Sequence, residues 1–328
     1  MMGARKRQTL EKARIIPTSL APHMRKTAIP TDDLVQSFQL ESSHLRGRLV
    51  RLGPALDLIL HQHAYPTPLG ALLGEAVTLA TALAFSLKYE GVFTLQAKGD
   101  GKIRMLVADV TSDGGLRAYA QKADQADFSK SVPDTKLLGR GYLAFTVDQQ
   151  RKDDRYQGIV ELSGETLAEA VQHYFRQSEQ IPTGIISSVS FDNKGRWRGG
   201  CLMLQRVPKE GGLMPRAFES ESSSDEDWQR AMMLMGSCTP AELTDPALSA
   251  NELLFRLFHE EGVRVFDPKP LSHKCRCSET RVTGMLRSLP RDEVENLAID
   301  GLVTVTCEFC NKSYLFDEKR REALYEKA

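Results

Sequence analysis

The chain has 328 residues, of which 26% are charged, and its 43 Lys/Arg balance 43 Asp/Glu. That length holds two domains, or a large one and a small one, and buries a sizeable core without covalent staples. Zero net charge argues against a protein whose main partner is DNA or RNA. The six cysteines, four of them within 36 residues near the C-terminus, are too sparse and too local for a secreted disulfide framework. They fit a reducing, cytoplasmic compartment.

Residues 1–32 read as a basic disordered tail, with seven Lys/Arg and one acid in the first 26 positions. Acids are scarce enough to suit a transit peptide, but no apolar signal-peptide core is present. From residue 33 the chain reads as helical and then extended, with "RGRLVRL" (46–52) alternating as a half-buried strand does. "LDLILHQH" is a short helix. Thr67, with Pro68 after it, is expected to cap a helix running to about Lys88. Its apolar run, 69–87, approaches a membrane span, but Glu75, Thr78, Thr81 and two glycines make it a buried core helix, so no membrane partner is expected.

Strands follow at 92–98 and 103–110, with Asp100-Gly101 supplying a two-residue hairpin turn. Further strands are expected at 116–121, 141–147 and 156–162. Leu167, Ala170, Val171, Tyr174 and Phe175 place an apolar stripe on a helix that starts near Glu165. "DNKG" then turns a last hairpin ending near residue 208. Residues 33–208 are thus expected to form an α+β domain of mostly antiparallel strands with packed helices.

Residues 209–267 read as a flexible linker with short helices, opened by a Gly/Ser/acid-rich stretch that contains the serine run 220–224. Thr239–Glu242 and Ser249–Glu252 have the spacing of capping boxes. The helices carry Trp228, Met232, Met233, Met235, Leu253, Leu257 and Phe258. Packed, these hide an apolar stripe; unpacked, they offer the soft surface that promiscuous binders use. No Walker loop, G-x-S-x-G or H-E-x-x-H is present, so no catalytic residue is expected.

The last 61 residues, 268–328, hold Cys275-x-Cys277, a 29-residue spacer and Cys307-x-x-Cys310. Four thiolates at two tight spacings suit tetrahedral zinc. The spacer reads as two short helices. Ser278 caps the first, Val282, Met285, Leu286 and Leu289 face inward, and Gly301 ends the second. A domain this small is marginal without its metal. His273 is a weaker candidate ligand, and Cys201 and Cys238 read as structural thiols. Residue chemistry leaves three readings open: a zinc ribbon that binds nucleic acid, a redox switch in which oxidation removes the ligands, and a thiol oxidoreductase.

The motifs "KCRCS", "LRSLPRDEVENL" and "CEFCNKSYLF", preceded by "LFRLFHEEGVRVFDP", resemble those of the 33 kDa chaperonin family of redox-regulated heat-shock chaperones. Upstream, "HAYPTPLGALLGEA", "QAKGDGKIRMLVAD" and "GGCLMLQRV" resemble it in the same order. The resemblance implies one zinc on the four cysteines in a reduced, inactive state. It implies disulfides Cys275–Cys277 and Cys307–Cys310 under oxidative stress, release of zinc, and ATP-independent binding of unfolding clients, often as a homodimer. It also implies that the C-x-x-C pair is the more exposed and oxidises first. Under limiting peroxide, mass spectrometry should therefore find Cys307–Cys310 before Cys275–Cys277; a Cys275–Cys277 disulfide beside reduced Cys307 and Cys310 reverses the order.

Overall fold

The computed structural model describes residues 14–15, 32–43, 45–129, 134–149, 155–206 and 221–325. Two large sheets enclose a helical layer. The first sheet has the order β1 (Arg14–Ile15), β11 (Val263–Val265), β2 (Leu34–Leu40), β3 (Leu45–Leu52), β10 (Trp197–Arg206), β9 (Thr183–Phe191), and β12 (Lys269–Pro270) also pairs with β2. Every one of its pairings is antiparallel. The second sheet has the order β13 (Ser272–His273), β6 (Gly115–Lys122), β5 (Ile103–Thr111), β4 (Gly91–Gly99), β7 (Gly141–Gln149), β8 (Arg155–Glu161). Only β13 runs parallel to its neighbour in that sheet.

Between the sheets lie α1 (Pro54–His61) and α2 (Thr67–Ala84). By length and composition α2 could cross a membrane, yet 83% of it is buried inside the molecule. It is apolar all round because it is covered all round. Glu75, its one charge, accepts hydrogen bonds from the Ala168 amide (3.2 Å) and the Ser187 hydroxyl (3.0 Å). Two further helices flank the second sheet: α3 (Asp134–Leu138), and α4 (Leu167–Tyr174), which Thr166 caps through the Glu169 amide and which continues into a π-helical turn, Phe175–Glu179.

The first sheet is apolar on both faces. Val35, Val50, Leu52, Cys201 and Met203 face α1 and α2, while Leu34, Phe38, Leu40, Leu45, Leu49, Leu202 and Leu204 face the other way. On that second face lie α5 (Glu221–Gly236), α6 (Pro240–Thr244) and α7 (Ala250–Phe258). Both expected capping boxes form, at Thr239/Glu242 and Ser249/Glu252. The C-terminal lobe holds α8 (Glu279–Arg287), capped by Ser278, then α9 (Arg291–Asn296), the hairpin β14 (Val303–Thr306)/β15 (Ser313–Phe316) and α10 (Glu318–Tyr325).

The α+β class and most elements follow the sequence reading, and several details differ. The stretch after residue 33 is the strand β2, not a helix. Val35 and the buried Gln36 break the polar/apolar alternation that would mark a strand, which is regular only over residues 37–40. Asp100-Gly101 does not make a two-residue turn by positive φ; residues 100–102 join β4 to β5, and a side chain on Gly101 would sit 2.5 Å from the Leu137 carbonyl oxygen. Thr67 is the first residue inside α2 and makes no capping bond, and the helix stops at Ala84. Met285 is 47% exposed, while its neighbours Val282, Leu286 and Leu289 pack inward. Gly301, at φ 77°, turns the chain into β14 rather than ending α9, whose last residue is Asn296.

The segment expected as a flexible linker is, over 221–265, a packed helical layer plus a strand of the first sheet, because that sheet's second apolar face needs a cover. Its opening stretch 209–220, including Ser220, lies outside the described residues, and 221–224 are described only as helical backbone. Of the basic tail, residues 14–15 form β1 against β11, Asp32 is described, and the rest lies outside.

Two glycines should respond oppositely to alanine. A Cβ at Gly47 would fall 2.0 Å from Phe38 Cζ, on the aromatic that stacks with Phe258. Gly284, inside α8, has nothing within 4 Å. Gly47→Ala should cost about 1–3 kcal/mol and Gly284→Ala should gain about 0.5–1 kcal/mol. Hydrogen exchange at β3 and α8 amides reads the two effects separately.

Candidate metal centre

The four C-terminal cysteines come from two loops. Cys275 and Cys277 follow β13, before α8; Cys307 and Cys310 follow β14, at a turn that reverses the chain into β15. The turn is closed by Cys307 N–H to the Lys312 carbonyl (2.9 Å) and Asn311 N–H to the Cys307 carbonyl (2.8 Å), with Asn311 at φ 55°. All four Sγ atoms lie within 4.8 Å of one another. Cys275 Sγ is 3.7 Å from Cys307 Sγ, and Cys277 Sγ is 3.4 Å from Cys310 Sγ. Each cysteine thus has its short contact with the opposite loop. Thiolates bound to zinc at about 2.3 Å in a tetrahedron lie roughly 3.8 Å apart, so the four residues fit that ion.

The surroundings favour thiolate at one corner. Burial opposes ionisation of Cys277, but the Tyr314 hydroxyl, donating at 3.2 Å, and the neighbouring sulfurs overcome it and bring the thiol down to about 7. Burial pushes Cys275 and Cys310 up. Tyr314 orients a ligand as outer-shell donors do.

His273 is not part of the group; its Nε2 lies 3.3 Å from Gln62 Nε2. Cys201 is wholly buried beneath α2, and burial raises its thiol far above the usual range. Burial, then Glu242, lifts Cys238 to about 11. Neither belongs to the cluster. The apolar residues expected to meet clients form one cluster on the first sheet: Met235, Leu253, Leu257 and Phe258 are buried, and Trp228 and Met232 pack partly buried beside them. Met233 points outward, 74% exposed.

The cysteine loops rest on the outer face of the second sheet. Arg276, between Cys275 and Cys277, donates to Asp109 Oδ2 at 2.6 Å. Asp109 is 5% exposed and also accepts from Arg117 Nε (2.8 Å) and from the Thr94 hydroxyl (2.6 Å). Phe309, between Cys307 and Cys310, lies 3.7 Å from the Arg117 guanidinium and edge-on to Tyr119 at 4.8 Å. Asn311 donates to the Gln62 carbonyl (3.3 Å), and Lys274 pairs with Asp113 at 2.8 Å. Arg276, Phe309, Tyr314 and Asp109 carry no assigned role in the sequence pattern. An acid inside "LVADV", among residues that are otherwise apolar, was the available signal.

The Hsp33 protein family model matches residues 33–317. The chain belongs to the Hsp33 family. Curated relatives named 33 kDa chaperonin include one from Caulobacter vibrioides, 40% identical over 87% of this chain and 95% of that protein. Another, from Pseudomonas fluorescens, is 35% identical over 89% of this chain and 93% of its own. The crystal structure of the 33 kDa chaperonin from Thermotoga maritima, 24% identical, superposes with a TM-score of 0.72 over 89% of this chain and 97% of that one, which shows the shared fold. Membership of Hsp33 makes this a chaperone-family chain, and its clustered cysteines fit a metal-binding redox centre.

Hydrogen bonds from Lys274, then Thr111, hold the Asp113 carboxyl down at about 2. A carboxyl depressed below its unfolded value stabilises the fold above that value, near 3.8, and loses the contribution as pH falls through about 2. Carbonyl NMR titration should place Asp113 near 2 in the wild type and return it toward 3.8 in Lys274→Ala.

Proposed function

We propose that the protein is a redox-regulated, ATP-independent holdase. In this reading it is inactive while its four cysteines hold zinc, and active once oxidation has paired them as disulfides. The observation that carries the reading is the set of four sulfurs within 4.8 Å, in a lobe whose own apolar core is six buried residues: Leu286, Val294, Val303, Tyr314, Phe316 and Leu324. When bound, zinc would supply the cohesion that so small a core lacks, on the order of 10–16 kcal/mol in small zinc peptides.

Cys275, Cys277, Cys307 and Cys310 would be the ligands and also the redox-active groups. A peroxide oxidises one thiol of a pair to sulfenic acid, releasing water. The second thiol attacks that sulfur, the S–S bond forms, and a second water leaves. Each pair thus gives two electrons to one peroxide. Closing Cys275–Cys277 and Cys307–Cys310 removes all four ligands and breaks the contacts between the loops.

The reading divides the chain into a tail (1–32), a core (33–208), a linker layer (209–267) and a switch lobe (268–328). Residues 266–274 connect the linker layer to the switch lobe, and their contacts support a mechanical link. Leu271 N–H donates to the Asp33 carbonyl (2.7 Å) beside the first sheet, and Ser272 and Lys274 N–H donate to Gly114 (3.0 Å) and Leu116 (2.8 Å) carbonyls at the second. Loss of the switch lobe would loosen this strap, release α5–α7, and expose Trp228, Met232, Met235, Leu253, Leu257 and Phe258 to unfolding clients. No residue is assigned a catalytic role. The active form would be a homodimer, in the cytoplasm.

The test uses the full chain, with zinc release, free thiols and suppression of aggregation of a heat-unfolded client followed together under peroxide at raised temperature. The expected outcome is loss of one zinc and four thiols per chain as anti-aggregation activity appears. Oxidised, zinc-free protein that leaves the client aggregating would overturn it. Salt-dependent RNA retention by the reduced form would favour a zinc ribbon that binds nucleic acid.

A further inference from the structure

We propose that Arg276 and Phe309, the residues enclosed by the two cysteine pairs, are positioning residues. They latch the cysteine loops to the second sheet through Asp109 and Arg117, and so set how readily the cysteines oxidise. The proposal rests on the oxidation switch described above and adds to it the contact that holds the switch shut.

Asp109 lies mid-strand in β5, on the face opposite Leu106, Ala108 and Val110, which pack into the core. A carboxylate buried there is costly without partners. It has three: Arg117 from β6, Thr94 from β4, and Arg276 from the lobe. Arg117 serves both cysteine loops. Its guanidinium holds the carboxylate that Arg276 binds, and lies 3.7 Å from the Phe309 ring. Four side chains thus form one chain of contacts, Arg276–Asp109–Arg117–Phe309, with one end inside C-x-C and the other inside C-x-x-C.

That placement couples the latch to the chemistry. The short sulfur contacts run between the loops, at 3.7 and 3.4 Å. A disulfide inside either pair needs its two sulfurs at about 2 Å with a restricted dihedral. The ring so closed contains Arg276 in one pair and Phe309 in the other, and its closure moves their backbone. Contacts made in the reduced arrangement and lost in the oxidised one favour the reduced state, and oxidation must in turn weaken the docking by the same factor. Arg276 and Phe309 are only partly buried, so truncating them leaves the sheet core intact.

Zinc-loaded full-length variants test this by the rate of zinc transfer to a colorimetric chelator at fixed peroxide and temperature. Arg276→Gln and Phe309→Ala should release zinc on the order of fivefold faster than wild type, and Arg276→Lys should restore most of the difference. Asp109→Asn combined with Arg276→Gln should be no faster than the faster single variant, because each already breaks the Arg276–Asp109 pair. Wild-type rates in all variants, or multiplying effects in the double, overturn the latch. If the wild type itself keeps its zinc, the switch reading fails instead, and hydrogen exchange at the Lys274 amide decides the latch. Faster exchange in Arg276→Gln supports it; unchanged protection overturns it.

Discussion

A sheet whose two faces are both apolar has to be covered twice, and the rest of this molecule follows from how that is done. One face of the first sheet is sealed by α1 and α2, which are sealed in turn by the second sheet. The other face, with Leu34, Phe38, Leu40, Leu45, Leu49, Leu202 and Leu204, is covered among the described residues by α5–α7. The first cover is continuous with the central core. The second, among the described residues, is one layer of helices. Removing that layer would leave the central core standing and expose a broad apolar surface, the kind that marks an interaction site. The proposed opening would require such a less stable layer.

The covering helices are also pinned at their ends by charge. Arg51, fully buried, reaches the Asp245 carbonyl, and Arg198 donates to the Thr244 carbonyl (2.7 Å) and pairs with Asp32. Arg230 of α5 pairs with Glu261 (2.5 Å), which Ser42 also donates to. These contacts join the helical layer to the ends of β3 and β10 and to the turn between β2 and β3.

Local rules made much of this legible from sequence. The capping boxes at Thr239 and Ser249, the Ser278 cap, the hairpin at 192–195 and the cysteine spacing each depend on residues a few positions apart. The readings that failed depend on what lies across space. β2 alternates only over Ser37–Leu40; at its start Val35 and the buried Gln36 each stand on the phase opposite to their polarity, which blurs the pattern. The helices of 221–258 looked like a linker because their partner, the outer face of β2, β3 and β10, is far away in the chain. The same limit hid the docking of the cysteine lobe. Arg276 and Asp109 are 167 residues apart, and nothing near either one names the other.

The two features that the proposed switch must connect lie on opposite sides of the molecule. The cysteine loops sit on the outer face of the second sheet, and α5–α7 on the outer face of the first, with both sheets and α2 between them. A signal passing through the packed core would have to deform its densest part. The covalent route is far shorter. From β11 the chain pairs with β2 at Lys269–Pro270, buries Leu271 in the central core, and reaches β6 at Ser272–His273, one residue before Lys274 and Cys275. This strap follows the margin of both sheets, held by single backbone bonds and anchored in the central core through Leu271. It is also tightly fitted: the Pro270 carbonyl passes so close to Gly114 that a Cβ there would lie 2.3 Å away. In the proposed switch, a lobe that lets go of β6 would act first on the strap and on β11, the next strand after α7. The economy of the proposed switch is that unfolding at one end of a continuous segment would weaken the cover at its other end, while the core between them stays as it is.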